Sequence, residues 1–198
     1  MHHPATKLVI LDRDGTVNEH SDEFVKAPEE WLPLPGALEA IARLTHAGWH
    51  VVLAANQSGL GRGLFDVAAL NAIHTRMHRA LAGVGGRVDA VFYCPHPPDE
   101  GCRCRKPQPG LFEQIGERYG VELAQVPAVG DSEADLQAAA AAGCEPHLVR
   151  TGRAAHLRAD EPLPPGYPPG TVAHADLSAF VDALLAREAR ARGPTPVS

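Results

Sequence analysis

Two carboxylates one residue apart, Asp12 and Asp14, follow directly on the apolar run Leu8 to Leu11 and precede Gly15 and Thr16. If that run is a strand of a parallel sheet, both aspartates arrive at its carboxyl edge, where open α/β sheets bind ligands. Gly15 permits the tight turn that lets the pair face one site. One carboxylate can then attack phosphorus while the other manages protons. Alone, an Asp-x-Asp pair is as readily a solvated turn, and its companions decide the matter. Asn56-Gln57-Ser58-Gly59 follows a second apolar run, Arg105-Lys106-Pro107 a third, and Gly130-Asp131-Ser132 with Asp135 a fourth. Independent solvated turns would rarely coincide at one edge of one sheet.

A second cluster reads Cys94-Pro-His96, then five residues, then Cys102-Arg-Cys104. Three thiolates and one imidazole make a closed tetrahedral set with no open position, the composition of a structural zinc site. Three of the four cysteines within eleven positions suit a metal better than a disulfide framework. The loop through Pro97, Pro98 and Gly101 has too little apolar material to order itself. Arg105 and Lys106 follow at once, so the metal would fix the loop that presents both cations. Cys144, in the run Ala-Ala-Gly-Cys, reads as a small buried hydrophobe. His46, His50, His74, His78, His147 and His174 have no second partner at ligand spacing and read as surface or satisfied side chains. His74 and His78 are four apart on a helix, yet no carboxylate completes a familiar metal pattern.

The elements that must position these groups alternate short apolar runs with helical periodicity from Lys7 to about Val149. That alternation predicts a Rossmann-like open parallel sheet sandwiched by helices, an α/β fold. Strands are predicted at 7–11, 50–54, 88–93, 126–129 and 147–149, with a weaker one at 171–174. Most are rich in Val, Ile or Leu, as strands covered on both faces should be. Ala37, Leu38, Ile41 and Leu44 make one helical stripe, and Leu70, Ile73, Met77 and Leu81 another. Leu111, Ile115 and Tyr119 predict a third helix, 132–142 a fourth, and Leu177, Val181 and Leu184 a closing one. The stretch DEPLPPGYPPG at 160–170 cannot hold a helix or a central strand and is expected to be a surface loop.

At 198 residues the chain predicts one domain over 1–192, with a frayed tail at 193–198. Hydrophobic residues at 44% and charged residues at 21% supply a sizeable core and argue against wholesale disorder. The net charge of -6 argues against a nucleic-acid binder, since phosphate backbones are held by clustered Lys and Arg. No stretch approaches the roughly 18 uninterrupted apolar residues of a membrane span, and no secretion signal is evident, so the expected setting is the cytoplasm and the expected state a monomer.

The tokens LDRDGT, NQSG, the cysteine and histidine cluster running into CRKP, and GDSEAD, in that order, resemble the haloacid dehalogenase superfamily over residues 8 to about 145. Within it the chain is similar to the D-glycero-D-manno-heptose 1,7-bisphosphate phosphatases, with histidinol-phosphate phosphatases as close relatives. The resemblance implies that Asp12 forms an aspartyl-phosphate and that Asp14 protonates the leaving oxygen and then activates water. It implies magnesium held by Asp12, the Asp14 carbonyl and Asp131, with Lys106 as a second positive group and Asp135 supporting either Lys106 or the loop around the metal. The physical need is plain, because a carboxylate cannot approach a phosphate dianion until charge is neutralised. Substrate contacts are expected from Asn56, Gln57, Ser58, Arg105 and Lys106, from His20, Ser21, Asp22 and Glu23 by position, and more weakly from Arg62. The chain departs from the pattern at Ala55, where relatives carry a Thr whose hydroxyl would reach the phosphoryl group.

The insertions after the first and second motifs are too short for a separate cap domain. The implied reaction is hydrolysis of the 7-phosphate of the heptose bisphosphate, on the way to nucleotide-activated heptose for lipopolysaccharide. Histidinol phosphate is the rival substrate, and Arg105 argues against it because a guanidinium would repel the cationic amine. A phosphosugar-binding module weakened at Ala55 is the rival of another class, and the intact Asp12, Asp14, Lys106 and Asp131 argue against that.

Overall fold

The computed structural model describes residues 6–193. From residue 194 onward, the predicted tail lies outside the described residues.

Six parallel strands form one sheet: β1 (Leu8–Leu11), β2 (His50–Asn56), β3 (Ala90–Cys94), β4 (Pro127–Gly130), β5 (Glu145–Val149) and β6 (Val172–His174). Their order is β3-β2-β1-β4-β5-β6, so the strand that leads into Asp12 lies at the centre, with Ile10 opposite both Val52 and Ala128. The helices are α1 (Ala37–His46), α2 (Ser58–Gly61), α3 (Val67–Gly83), α4 (Gly110–Tyr119), α5 (Glu133–Ala141) and α6 (Leu177–Arg192).

Alternation along β1 and β2 divides the core. Val9, Leu11, Val51 and Leu53 pack with Ile41 and Leu44 of α1, Ile73 and Met77 of α3, and Phe180 and Val181 of α6. Leu8, Ile10, Val52 and Ala54 pack the other way, against Leu111, Phe112 and Ile115 of α4 and Ala138 and Ala139 of α5. Every residue of β1 is buried, as a strand covered on both faces must be. Truncating one of these fully buried side chains to Ala would cost about 2–5 kcal/mol.

Caps fix where the helices start. Asp66 accepts from the Ala69 N–H and Asp176 from the Ala179 N–H, while Ser132 and Asp135 form a reciprocal capping box. The strands differ from the sequence reading by small shifts at their ends. β2 runs on to Asn56, which pairs with Cys94, and thereby carries the second polar cluster to the sheet edge. The short α2 was not anticipated, since four residues are too few to show a helical period.

Residues 160–170 are irregular, as their prolines require. Even so, Leu163 and Tyr167 pack with Leu136, Leu148 and Ala154, and Gln137 Nε2 donates to the Gly166 carbonyl at 2.7 Å. Two histidines read as partnerless meet across the β5/β6 pairing. His147 Nδ1 lies 3.0 Å from His174 Nε2, and both rings meet the Phe180 ring edge-on. Burial, then the His174 charge, pushes His147 down to about 4.

Candidate active site

The loops after β1, β2, β3 and β4 enclose a cavity of about 140 Å³ whose walls include Asp12, Asp14, Asn56, Lys106 and Asp131. A larger groove of about 900 Å³, between Leu60 to Val67 and the Tyr93 to His96 segment, holds no comparable acid and base set.

On the floor, Lys106 Nζ donates to Asp12 Oδ1 at 2.7 Å and to the Ala54 carbonyl at 2.7 Å, and pairs with Asp135 Oδ1 at 2.6 Å. Burial alone would lower the lysine, but Asp12 and Asp135 outweigh it and keep the ammonium charged. Carboxylate oxygens of Asp12, Asp131 and Asp135 lie within 4.8 Å of one another. Burial and then mutual repulsion push Asp12 up to about 7 and Asp131 up to about 8, whereas Lys106 overcomes burial to hold Asp135 below the usual range. Three carboxylates around one ammonium leave excess negative charge, and an all-oxygen set of this kind fits a hard divalent cation. Asp135 is committed to the lysine and to its capping box.

Asp14 faces another set of donors. The Arg13 guanidinium lies 2.9 Å from each of its oxygens through Nη2, Asn18 Nδ2 donates at 2.8 Å and Gln57 Nε2 at 3.0 Å. Burial favours the neutral acid, yet the Arg13 charge and these hydrogen bonds hold Asp14 below its ordinary value. Asn56 braces the lysine loop, since its side chain donates to the Lys106 carbonyl and accepts from the Lys106 N–H, both at 3.1 Å. Asp131 sits between two glycines. A Cβ on Gly15, at φ +93, would fall 2.0 Å from Asp131 Oδ2, and one on Gly152 would fall 2.1 Å away.

At the rim stand His20, Ser21, Asp22 and Arg105, with Phe24 in a left-handed backbone conformation at φ +63, while the buried Gln57 and Ser58 complete the wall. Glu23 does not border the cavity, and Arg62 stacks on the Phe24 ring at 5.9 Å rather than lining the wall. Ala55 is buried at the end of β2 and also lies outside the walls, so the polar groups nearest the floor from this segment belong to Asn56, Gln57 and Ser58. Beside the cavity, Cys94, His96, Cys102 and Cys104 bring four possible ligand atoms together. Their closest separations run from 3.2 Å for His96 Nδ1 to Cys104 Sγ up to 3.5 Å for Cys94 Sγ to Cys102 Sγ. A tetrahedral zinc with thiolates about 2.3 Å away would give edges of about 3.8 Å, so the set fits with small adjustments.

A family model described as HAD-hydrolase-like matches residues 103–176. The D-glycero-beta-D-manno-heptose-1,7-bisphosphate 7-phosphatase of Bordetella bronchiseptica is 63% identical over 90% of this chain and 98% of that protein. The chain belongs to the heptose bisphosphate phosphatase family. A Pseudomonas aeruginosa member of that family is 51% identical over 90% of this chain and 97% of its own length. The crystal structure of the B. bronchiseptica heptose bisphosphate phosphatase, complexed with magnesium and phosphate, superposes with a TM-score of 0.87 at 62% identity, covering 92% of this chain and 99% of that one. The haloacid dehalogenase-like fold expected for a heptose bisphosphate phosphatase is thus the fold observed.

The sequence reading missed one wall. Arg153, on the turn Gly152–Ala154 after β5, lines the cavity, and its N–H donates to Asp131 Oδ2 at 2.7 Å. The signal was present, because Arg150 to Arg153 is a fifth polar cluster just past an apolar run.

Proposed function

We propose that this chain hydrolyses the 7-phosphate of D-glycero-D-manno-heptose 1,7-bisphosphate with Asp12 as nucleophile. The observation that carries the reading is the Asp12 and Lys106 pair at 2.7 Å, on the floor of a cavity whose rim presents Arg105 and His20. An Asp12 oxygen forms the bond to phosphorus as the bond to the sugar oxygen breaks, and that oxygen takes a proton from Asp14. Asp14, now ionised, removes a proton from water, whose oxygen displaces Asp12 from the aspartyl-phosphate. Phosphate leaves, and Asp12 is restored. Lys106 neutralises charge on the transferred group throughout.

Magnesium would be held by Asp12, the Asp14 carbonyl and Asp131, and when bound it would supply charge neutralisation at the phosphoryl oxygens. Zinc would be held by Cys94, His96, Cys102 and Cys104, and would stiffen the loop that carries Arg105, whose Nη1 reaches the His96 carbonyl at 3.5 Å. Among substrate contacts, Asn56 acts chiefly by bracing Lys106, while Gln57 and Ser58 border the phosphoryl end. The working unit is a single domain over 1–192, acting as a cytoplasmic monomer in lipopolysaccharide precursor synthesis.

A phosphate-release assay with magnesium tests the reading across the heptose bisphosphate, matched monophosphates and histidinol phosphate. The heptose bisphosphate should give the highest kcat/KM. Preference for histidinol phosphate would overturn the assignment.

A further inference from the structure

The turn after β5 is keyed to the catalytic floor on three sides. Thr151 Oγ1 donates to the Gly15 carbonyl at 2.6 Å, and the Arg153 N–H holds Asp131. Gly152, at φ +51, is so close that a Cβ would lie 2.5 Å from Gly15 Cα. The point from which the Arg153 side chain departs is therefore fixed relative to the reacting atoms.

The side chain itself is far less constrained. Arg153 is exposed and has no carboxylate ion pair among the described residues, and the same is true of pairing for Arg105 across the cavity. Other arginines, Arg62, Arg76, Arg79, Arg118 and Arg150 among them, also lack one among the described residues, and what sets Arg105 and Arg153 apart is that both line the cavity. Arg153 Nε lies 3.4 Å from His20 Nε2, but that nitrogen is also 3.0 Å from Asp22 Oδ1. One ring nitrogen cannot accept from a guanidinium and donate to a carboxylate at once, so His20 is a partner that Arg153 can leave.

Strand order places the two arginines on opposite sides of the nucleophile. Arg105 comes from beyond β3 and Arg153 from beyond β5, with β1 between them. Lys106 already serves the phosphoryl group being transferred. Two guanidinium forks at the rim match a second phosphate, which each can bind through paired N–H donors.

We propose that Arg153 binds the phosphate that is not transferred, together with Arg105, and so selects bisphosphorylated over monophosphorylated sugars. The inference rests on the phosphatase reading above and names the substrate class that this rim accepts.

The test compares KM for the heptose 1,7-bisphosphate and for the heptose 7-phosphate, which offers the same scissile ester without the second phosphate. Arg153→Ala should raise KM for the bisphosphate about tenfold or more, and at least about fivefold more than for the monophosphate. Arg153→Lys should recover part of the loss. Equal effects on both substrates, or an unchanged KM for the bisphosphate, would overturn the proposal, and Arg153→Gln serves in place of any variant that melts early. If wild type fails to hydrolyse the heptose bisphosphate, the parent reading falls. The same variants measured on fructose 1,6-bisphosphate and fructose 6-phosphate then judge Arg153 by the same ratio.

Discussion

Arg13 and Asp14, neighbours in sequence, form a closed ion pair in which one guanidinium nitrogen lies 2.9 Å from both carboxylate oxygens. Arg13 is fully buried, and its Nη1 lies 3.3 Å from His74 Nε2. A guanidinium has no acceptor, so that nitrogen must accept and His74 must be the neutral Nδ1–H tautomer. Burial and then Arg13 push His74 down to about 4, in keeping with this assignment. The clamp favours the ionised form of Asp14 that activates water, and disfavours the acid form that protonates the leaving oxygen.

Weakening the clamp should therefore raise the Asp14 pKa. His74→Leu removes the acceptor that steadies Arg13, and we expect the Asp14 carboxyl to lose its charge at a higher pH than in wild type. His74→Gln retains an acceptor and should stay near wild type. NMR titration of the Asp14 carboxyl down through the ordinary carboxylate range checks this, and coincident titrations in both variants would refute it.

Asp12→Asn should abolish phosphate release while preserving the fold. An amide oxygen is a poor nucleophile, and Lys106 loses one of its two carboxylate partners. Retention of about a tenth of wild-type turnover, a loss of only about 1.4 kcal/mol, would show that Asp12 is not the covalent residue.

Protein purified without chelator should contain about one zinc per chain, and Cys102→Ser or Cys104→Ser should lose it. Activity should fall with the metal, because Lys106 lies two residues beyond Cys104. Elemental analysis of wild type and both variants decides the point.

Acid should destabilise the fold through His147. Its folded pKa of about 4 lies below the ordinary value of 6.5, so the unfolded chain binds the extra proton between those values. Stability is thus complete above about 6.5 and declines as the pH falls toward 4, by at most about 3 kcal/mol from this group. His147→Gln should flatten that part of the slope in urea midpoints measured from pH 7 to 4.5. An unchanged slope would assign acid sensitivity to the carboxylates alone.

Sequence pattern revealed most of the floor, for a physical reason. Runs such as Leu8 to Leu11 must be buried on both faces, which puts the polar residues just after them at one edge and makes Asp12, Asn56, Lys106 and Asp131 neighbours by topology alone. Proximity between side chains on non-adjacent elements left no such trace. The Arg13 and His74 contact joins a loop to α3 across 61 positions, and the His147 and His174 pair depends on the register of β5 with β6. Arg153 had the same signal as the other clusters but no adjoining acid or base to draw notice.

The two glycines against Asp131 give the site an uneven capacity to diverge. Any side chain at Gly15 or Gly152 would displace the carboxylate between them, so neither position can vary without loss of the chemistry. The side chains of His20, Arg105 and Arg153 line the cavity without touching Asp131, which Arg153 meets only through its backbone N–H. Descendants of this chain could therefore acquire new substrates by exchanging those three side chains, while the reaction itself stayed the same.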